Sequence, residues 1–338
     1  MQGIETLASD ERTARMILAT FCEPGDPLTG RLVALVGARG AVAIAAGAAL
    51  PDELDRVSGE LWVRHAASRL DLAQAQHVLD GTDRDGLAVL IPGDARWPDG
   101  LRALGPRAPI ALWAKGEVDL LSAPVARRVT LTGSRAATRY GEQVAVDLAE
   151  AAVRDGCQVV AGGAYGIDTQ AHRGALAGGG PTVAVLAGGL DRPYPAGNQE
   201  LLARIGQSGL LVSQAPPGVL PTRTRFTQRA RLMAALSDTV VIVEAAYRSS
   251  ALTTAEQAIR LGRPVGAVPG PVTSAASAGC HRLLREHLAT LITDYDDVRS
   301  LLEPPWSTSG MELGPTARRD PTVSQPPPGH DRRPGLGR

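Results

Sequence analysis

Beyond residue 127 the chain alternates short apolar runs with segments of helical period. Runs of about five apolar residues at 129–132, 158–161, 182–186, 210–213, 239–243 and 265–268 have the composition of strands buried on both faces. Helix-period segments occupy 141–154, 168–177, 198–205, 229–236 and 254–261, and a last helix at 279–287 precedes 291–292 and 296–302. Strand, helix, strand in that succession needs right-handed crossovers, so the pattern predicts α/β: a doubly wound, mostly parallel sheet of extended Rossmann-like type over 86–303. The front of the chain has a different texture. Residues 10–21, 32–49 with breaks at Gly37 and Gly40, 51–56 and 59–79 read as short helices, which predicts a small helical domain over 1–85. A strand at 87–91, a proline-bounded loop at 92–98 and a strand at 110–113 connect the two. After Glu303 the chain is rich in Pro, Gly, Ser and Arg with few large apolar residues, the composition of a disordered tail over 304–338.

Charge changes this picture in one respect. Thirty-five basic and thirty-five acidic side chains cancel over the 338 residues, which excludes a chain that coats nucleic acid by bulk charge. Any anion site is therefore local. By segment, 1–125 carries twelve basic and seventeen acidic residues while 126–303 carries eighteen and fifteen, so the acid lies at the front. Lys115 is the single lysine, and in so arginine-rich a chain a lone Arg says little. Cys22, Cys157 and Cys280 are odd in number and far apart, which argues for a reducing cytosol and against a disulfide scaffold or a metal pair. The start lacks the basic and apolar regions of a signal peptide, and the apolar stretch 32–50 carries Arg39 near its middle, so a soluble, cytoplasmic protein with no membrane span is expected.

In an open α/β sheet ligands sit outside the carboxyl ends of the strands. The residues there are Thr132-Gly133-Ser134-Arg135, Gly162-Gly163-Ala164-Tyr165-Gly166, Gly188-Gly189-Leu190-Asp191 and Pro269-Gly270-Pro271. Such glycines either permit tight strand-to-helix turns or let backbone N–H groups approach an anion, and several such loops on one rim favour a phosphate-bearing ligand. No G-x-x-x-x-G-K-[ST] occurs, and the first loop lacks G-x-G-x-x-G, so neither Walker ATP chemistry nor a dinucleotide coenzyme is expected. No cofactor or metal is called for. Asp168 reads as a helix cap and His172 as a packed histidine.

Thr222 to Arg231 is the most distinctive stretch. Arg223, Arg225, Arg229 and Arg231 surround Phe226, one of two phenylalanines, with no acid among them. Guanidinium groups hold phosphodiester oxygens and a ring among them can stack on an unpaired base. The plainer alternative is a solvated loop whose phenylalanine packs inward.

Together the motifs Thr132-Gly133-Ser134-Arg135 with Tyr140-Gly141, Gly162-Gly163-Ala164-Tyr165-Gly166-Ile167-Asp168 with Ala171-His172, Gly188-Gly189-Leu190-Asp191 with Tyr194-Pro195, Phe226 with Arg229 and Arg231, Val243-Glu244-Ala245 and Val268-Pro269-Gly270 run collinearly over 86–295. In that order they resemble the DNA-processing protein DprA family, also called Smf. The resemblance implies a single-stranded DNA-binding protein and not an enzyme, usually a homodimer, that protects incoming DNA and helps load the RecA recombinase in natural transformation. It further implies that Gly133, Ser134 and Arg135 contact phosphate, that Gly162, Gly163 and Gly166 supply backbone donors, that Phe226 stacks on a base and that Arg223, Arg225, Arg229 and Arg231 line the channel. Tyr165 stands where many members have Arg, which implies either a lost phosphate contact or a gained stacking surface. Thr227-Gln228 and Ala230 replace the Pro and Asn of the usual F-P-x-R-N-R, and the tail stands where many members carry a winged helix, so weaker DNA binding is expected. A competing enzyme reading resembles the lysine-decarboxylase-like phosphoribohydrolases, with Thr253, Thr254 and Glu256 in place of their P-G-G-x-G-T-x-x-E motif but without its glycines.

Overall fold

The computed structural model describes residues 2–122 and 127–303, and in it the apolar runs line up as one sheet. Its strands are β1 (Ala88–Leu90), β2 (Leu112–Gly116), β3 (Arg128–Gly133), β4 (Gln158–Gly162), β5 (Thr182–Leu186), β6 (Leu210–Ser213), β7 (Thr239–Glu244), β8 (Val265–Ala267) and β9 (Thr290–Leu291). They lie in the order β1-β2-β6-β5-β4-β3-β7-β8-β9. From β6 to β9 every pairing is parallel; the connector strands β1 and β2 are antiparallel and close the edge beside β6. The doubly wound α/β sheet expected from the alternation is the observed architecture.

The period of two along each strand sorts side chains between the two faces. On β7, Val241 and Val243 join the core beneath helices α6 (Arg139–Arg154), α7 (Ile167–Ala177) and α12 (Tyr295–Leu302). Val240 and Ile242 face the opposite way, toward α9 (Arg223–Leu236), α10 (Leu252–Arg260) and α11 (Ala278–Arg285). The helix α8 (Gln199–Ser208) buries Leu202 and Ile205 against Ala184 and Leu186.

In the front part lie α1 (Gln2–Leu7), α2 (Glu11–Phe21), α3 (Pro27–Ala45), α4 (Arg56–Ala67) and α5 (Leu72–Arg84). Asp10, Asp26, Asp55 and Asp71 each accept a hydrogen bond from a first-turn N–H, which fixes where α2 to α5 begin. The cap at Asp71 is also why the amphipathic stretch 59–79 is two helices and not one. The break expected at Gly37 is present, at φ 73° and ψ 171°, and the Glu11 carboxylate accepts from the Ala38 N–H, capping the second half of α3. Gly40 stays helical. By length and composition α3 could cross a membrane, with a mean hydropathy of 1.5, but Leu32, Ala38, Ala41, Val42 and Ile44 are buried in the helical core.

Residues up to 302 cluster as one unit. Residues 85 and 86 mark the change from helices to sheet, and a core runs across that line: Met16, Ala19 and Val78 pack with Trp113, Ala184 and Leu186. The Trp113 indole N–H donates to Thr82 at 3.1 Å, and Arg12 grips Asp94 with two hydrogen bonds of 2.8 Å. The segment 304–338, expected to be a disordered tail, lies outside the described residues.

Candidate functional site

Strand order reverses beside β3, with β4, β5 and β6 following on one side and β7, β8 and β9 on the other. Crossover loops diverge at such a switch point and leave a crevice at the carboxyl ends of the strands. A cavity of about 740 Å³ opens there. The end of β3 contributes Thr132, Gly133 and Arg135, and the turn into α7 contributes Ala164 and Asp168. Arg248 follows β7, Ser250, Ala251, Thr253 and Thr254 surround the start of α10, and the remaining wall is the first turns of α9 with Pro221 and Thr222 before them.

The helix read at 229–236 begins earlier, at Arg223, so the basic stretch 222–231 forms its cap and opening turns. Thr222 is the N-cap, its hydroxyl accepting from the Arg225 N–H at 3.3 Å. Helical spacing alone does not sort the four arginines, since Arg225 and Arg229 are four apart and neighbours on the helix surface; what each one meets does. Arg223, Phe226, Thr227, Arg229 and Ala230 line the cavity. Arg225 and Arg231 turn away from it. The Arg225 guanidinium pairs with Glu23 at 3.0 Å and donates to the Leu220 carbonyl at 2.8 Å, and Arg231 lies against Gly25 in the loop before α3.

Half-buried Phe226 is the aromatic centre of the site. The guanidinium carbons of Arg135 and Arg229 stand 4.8 and 5.1 Å from its ring centroid, and Tyr194 meets it edge-on at 6.3 Å. Below it, Asp168 is 2% exposed and accepts from the Thr132 hydroxyl at 2.7 Å and the Ala164 N–H at 3.3 Å. Burial pushes the Asp168 carboxyl up from the usual carboxylate range, and the Arg229 guanidinium pulls it back down. That guanidinium is 3.7 Å away, and its Nε is buried without a hydrogen-bond partner. A buried cation paired on one side only is a receptor for an anionic oxygen.

Asp168 therefore does not cap α7; Gly166 holds that position, at φ 72° and ψ −126°. His172 is fully buried, its Nε2–H donating to the Gly162 carbonyl at 3.1 Å and its Nδ1 meeting the Thr182 hydroxyl at 2.9 Å. Burial lowers its pKa to about 4, and the ring is neutral and structural.

The glycines divide into packing roles. A Cβ on Gly166 would drive into the Ser134 and Arg135 carbonyl oxygens, one on Gly162 would come within 2.6 Å of both Arg229 and Asp168, and one on Gly163 would strike Leu186. Gly133 lies against the Glu244 backbone and lines the cavity. Ser134 donates its N–H to the Glu244 carbonyl at 2.7 Å and accepts from the Ile167 N–H at 3.1 Å, so it ties three rim elements together. Tyr165 is outside the cavity and exposed, its hydroxyl accepting from the Gly197 N–H at 3.2 Å. Of the residues expected at the site, the cavity thus gathers Gly133, Arg135, Arg223, Phe226 and Arg229; Ser134, Gly162, Gly163 and Gly166 shape its supports, and Tyr165, Arg225 and Arg231 lie outside.

Arg248 was not foreseen, although it sits four residues beyond β7, where the carboxyl-end rule directs attention. Among the described residues Arg135, Arg223 and Arg248 have no carboxylate partner. Four arginines thus face one carboxylate, and that one is already hydrogen-bonded. Thr253 and Thr254 line the wall, but Glu256 is exposed and outside the cavity, and the Glu244 carboxylate is taken by the Thr138 N–H and hydroxyl at 2.8 Å each. The carboxylate that a phosphoribohydrolase would aim at its substrate is not beside these threonines. Burial pushes the Cys22 and Cys280 thiols up to about 12, and no cluster of three metal-ligating side chains occurs among the described residues.

Comparison with known proteins places this geometry in context. The model of the family described as DNA recombination-mediator protein A matches residues 88–303. A DprA-named protein of Mycobacterium tuberculosis strain H37Rv is 45% identical over 307 residues, covering 87% of this chain and 77% of that one. Among solved structures, DNA processing protein A (DprA) from Streptococcus pneumoniae superposes with a TM-score of 0.69 at 29% identity, covering 86% of this chain and 96% of that one. DNA processing protein A from Helicobacter pylori, described for its unique single-stranded DNA binding mode, gives a TM-score of 0.58 at 29% identity, with 64% and 95% covered.

Proposed function

Because this chain belongs to the DNA recombination-mediator protein A family, we propose that it processes DNA by holding a single strand in the switch-point cavity. The observation that carries this reading is the grouping of Arg135, Arg223, Arg229 and Arg248 around Phe226 in one crevice where, among the described residues, the one lining acid is buried and paired. Guanidinium groups without carboxylate partners release counterions from a phosphodiester chain, and the unfilled Nε of Arg229 offers a donor at depth. Phe226 is the stacking platform. Its face is covered by Arg135, which no carboxylate holds in place, so an entering base displaces a cation–π contact worth about 0.5–1 kcal/mol at an exposed site. Stacking contributes about 1–3 kcal/mol per base, and the base wins.

Family membership supports a finer reading. The protein protects an incoming strand and helps load the RecA recombinase onto it during transformation or recombination, acting in the cytoplasm as a homodimer without catalysis of its own. Titration of labelled oligo-dT at several salt concentrations tests the binding step. Affinity is expected to fall as salt rises and to exceed that for a duplex of equal length, and Arg135→Ala is expected to weaken it. Duplex binding equal to single-strand binding would contradict the reading. Faster nucleation of RecA on the coated strand, and a sedimentation mass of two chains, test the partners.

A further inference from the structure

Aromatic side chains are scarce in this chain, at two Phe, four Trp and five Tyr. Among the described residues those that are exposed number four, all tyrosines: Tyr140 (46%), Tyr165 (48%), Tyr194 (53%) and Tyr247 (54%). All four stand at the carboxyl end of the sheet. Tyr140 follows β3, Tyr165 follows β4, Tyr194 follows β5 and Tyr247 follows β7, and these strands are consecutive neighbours in the order β5-β4-β3-β7. The opposite rim and the helical front present no exposed Phe, Trp or Tyr among the described residues.

Two of these rings are also tethered. The Tyr165 hydroxyl accepts from the Gly197 N–H at 3.2 Å, bridging the β4 and β5 loops, and the Tyr140 hydroxyl donates to the Pro269 carbonyl at 2.7 Å, bridging the β3 and β8 loops. Tyr194 is held edge-on to Phe226, and the Arg282 guanidinium sits 5.1 Å from the Tyr247 centroid. Tyr140 and Tyr165 are fixed at the hydroxyl edge, Tyr194 by its contact with Phe226 and Tyr247 by a guanidinium over one face, and all four are about half open. A ring held in this way stacks on a base with little further loss of rotamer freedom.

Two of the rings lie toward β5 and two toward β8, on either side of the crevice that holds Phe226 and the arginines. We propose that the four tyrosines form a stacking track that extends the single-strand site along the rim in both directions beyond the cavity. This rests on the single-strand reading above. Four adjacent strand ends span about 14 Å at ~4.8 Å per strand, the length of roughly four stacked nucleotides at ~3.4 Å each. Every base has a π-face, so the track accepts any sequence.

The test compares a thymidine dodecamer with an abasic strand of equal length and charge. Wild-type protein is expected to prefer the dodecamer, and the pair of substitutions Tyr165→Ala and Tyr247→Ala to reduce that preference at least about five-fold per ring, while Tyr165→Phe, which keeps the ring, retains it. Thermal unfolding checks that the variants are folded. A dodecamer carrying 5-iododeoxyuridine supplies an independent readout on unaltered protein, with photo-crosslinks expected at tyrosines on both sides of the crevice. Double-variant protein that keeps the full base preference, or crosslinks confined to Phe226 and the cavity, would overturn the track and leave the single-strand reading standing. Wild-type protein that binds neither strand would remove both.

Discussion

Arg225 and Arg229, one turn apart on α9, are the same residue type in different physical circumstances. Toward the cavity, Arg229 is 12% exposed, set against a buried aspartate at 3.7 Å, and retains an unfilled donor. Toward the helical front, Arg225 pairs with Glu23, which is 40% exposed, and donates to a backbone carbonyl, its Nε also buried without a partner, so the contrast lies in the burial of the acid and in the opening to the cavity. Four arginines within nine residues look equivalent in one dimension; in three, their partners decide which remain available to a ligand. Arg225 holds the helix to the loop before α3 and Arg231 packs against that loop with its Nη2 unpartnered, whereas Arg223 and Arg229 line the crevice.

The largest effect that sharpens this contrast is expected at Asp168. Asp168→Ala leaves a buried guanidinium uncompensated and is expected to cost about 3 kcal/mol or more of stability in urea unfolding, while Glu23→Ala costs about 1 kcal/mol or less. Equal losses would erase the distinction between the two sides.

Next in size is an acid effect confined to the cavity side. His172 is neutral in the fold, with its pKa lowered from 6.5 to about 4 by burial and, to a lesser degree, by Arg229. Between those values the unfolded chain binds a proton that the native chain does not, so stability falls as pH drops through 6.5 and levels off below about 4, by an amount on the order of 3 kcal/mol. Urea midpoints at pH 7 and pH 5 measure this slope, and His172→Asn is expected to flatten it. A wild-type protein with no such slope would place the histidine in contact with water.

For binding, Phe226→Ala is expected to weaken oligo-dT by about 1–3 kcal/mol. The smallest effect is expected at Arg225→Ala, whose charge is already neutralised by Glu23: a loss of affinity below that of Arg223→Ala, measured in the same titration. The reverse ranking would show that the front-facing side of α9 also meets the strand.

Most of this sheet was legible because strands buried on both faces must be apolar throughout, and the runs at 129–132 through 265–268 have no other use for so many β-branched residues. The front was less legible. Ala-rich helices have weak periods, so neither the Asp71 cap that splits 59–79 nor the short α1 stands out. At the site, the glycine loops and Phe226 stood out in the sequence, but whether an arginine is free depends on partners such as Glu23 and Asp168, at distances of up to about two hundred residues along the chain. Arg248 lies in a loop without any basic cluster, and only the folding of β7 beside β3 brings it to the same crevice.

The measurement that bears most directly on the crevice is the salt dependence of oligo-dT affinity in the wild type and in a variant with Arg135, Arg223 and Arg248 all changed to Ala. If these three meet phosphates, the slope of log affinity against log salt becomes shallower by about 2, near 0.7 for each single-strand phosphate that the variant leaves unneutralised. An unchanged slope would mean that the strand, if bound at all, lies elsewhere on the molecule.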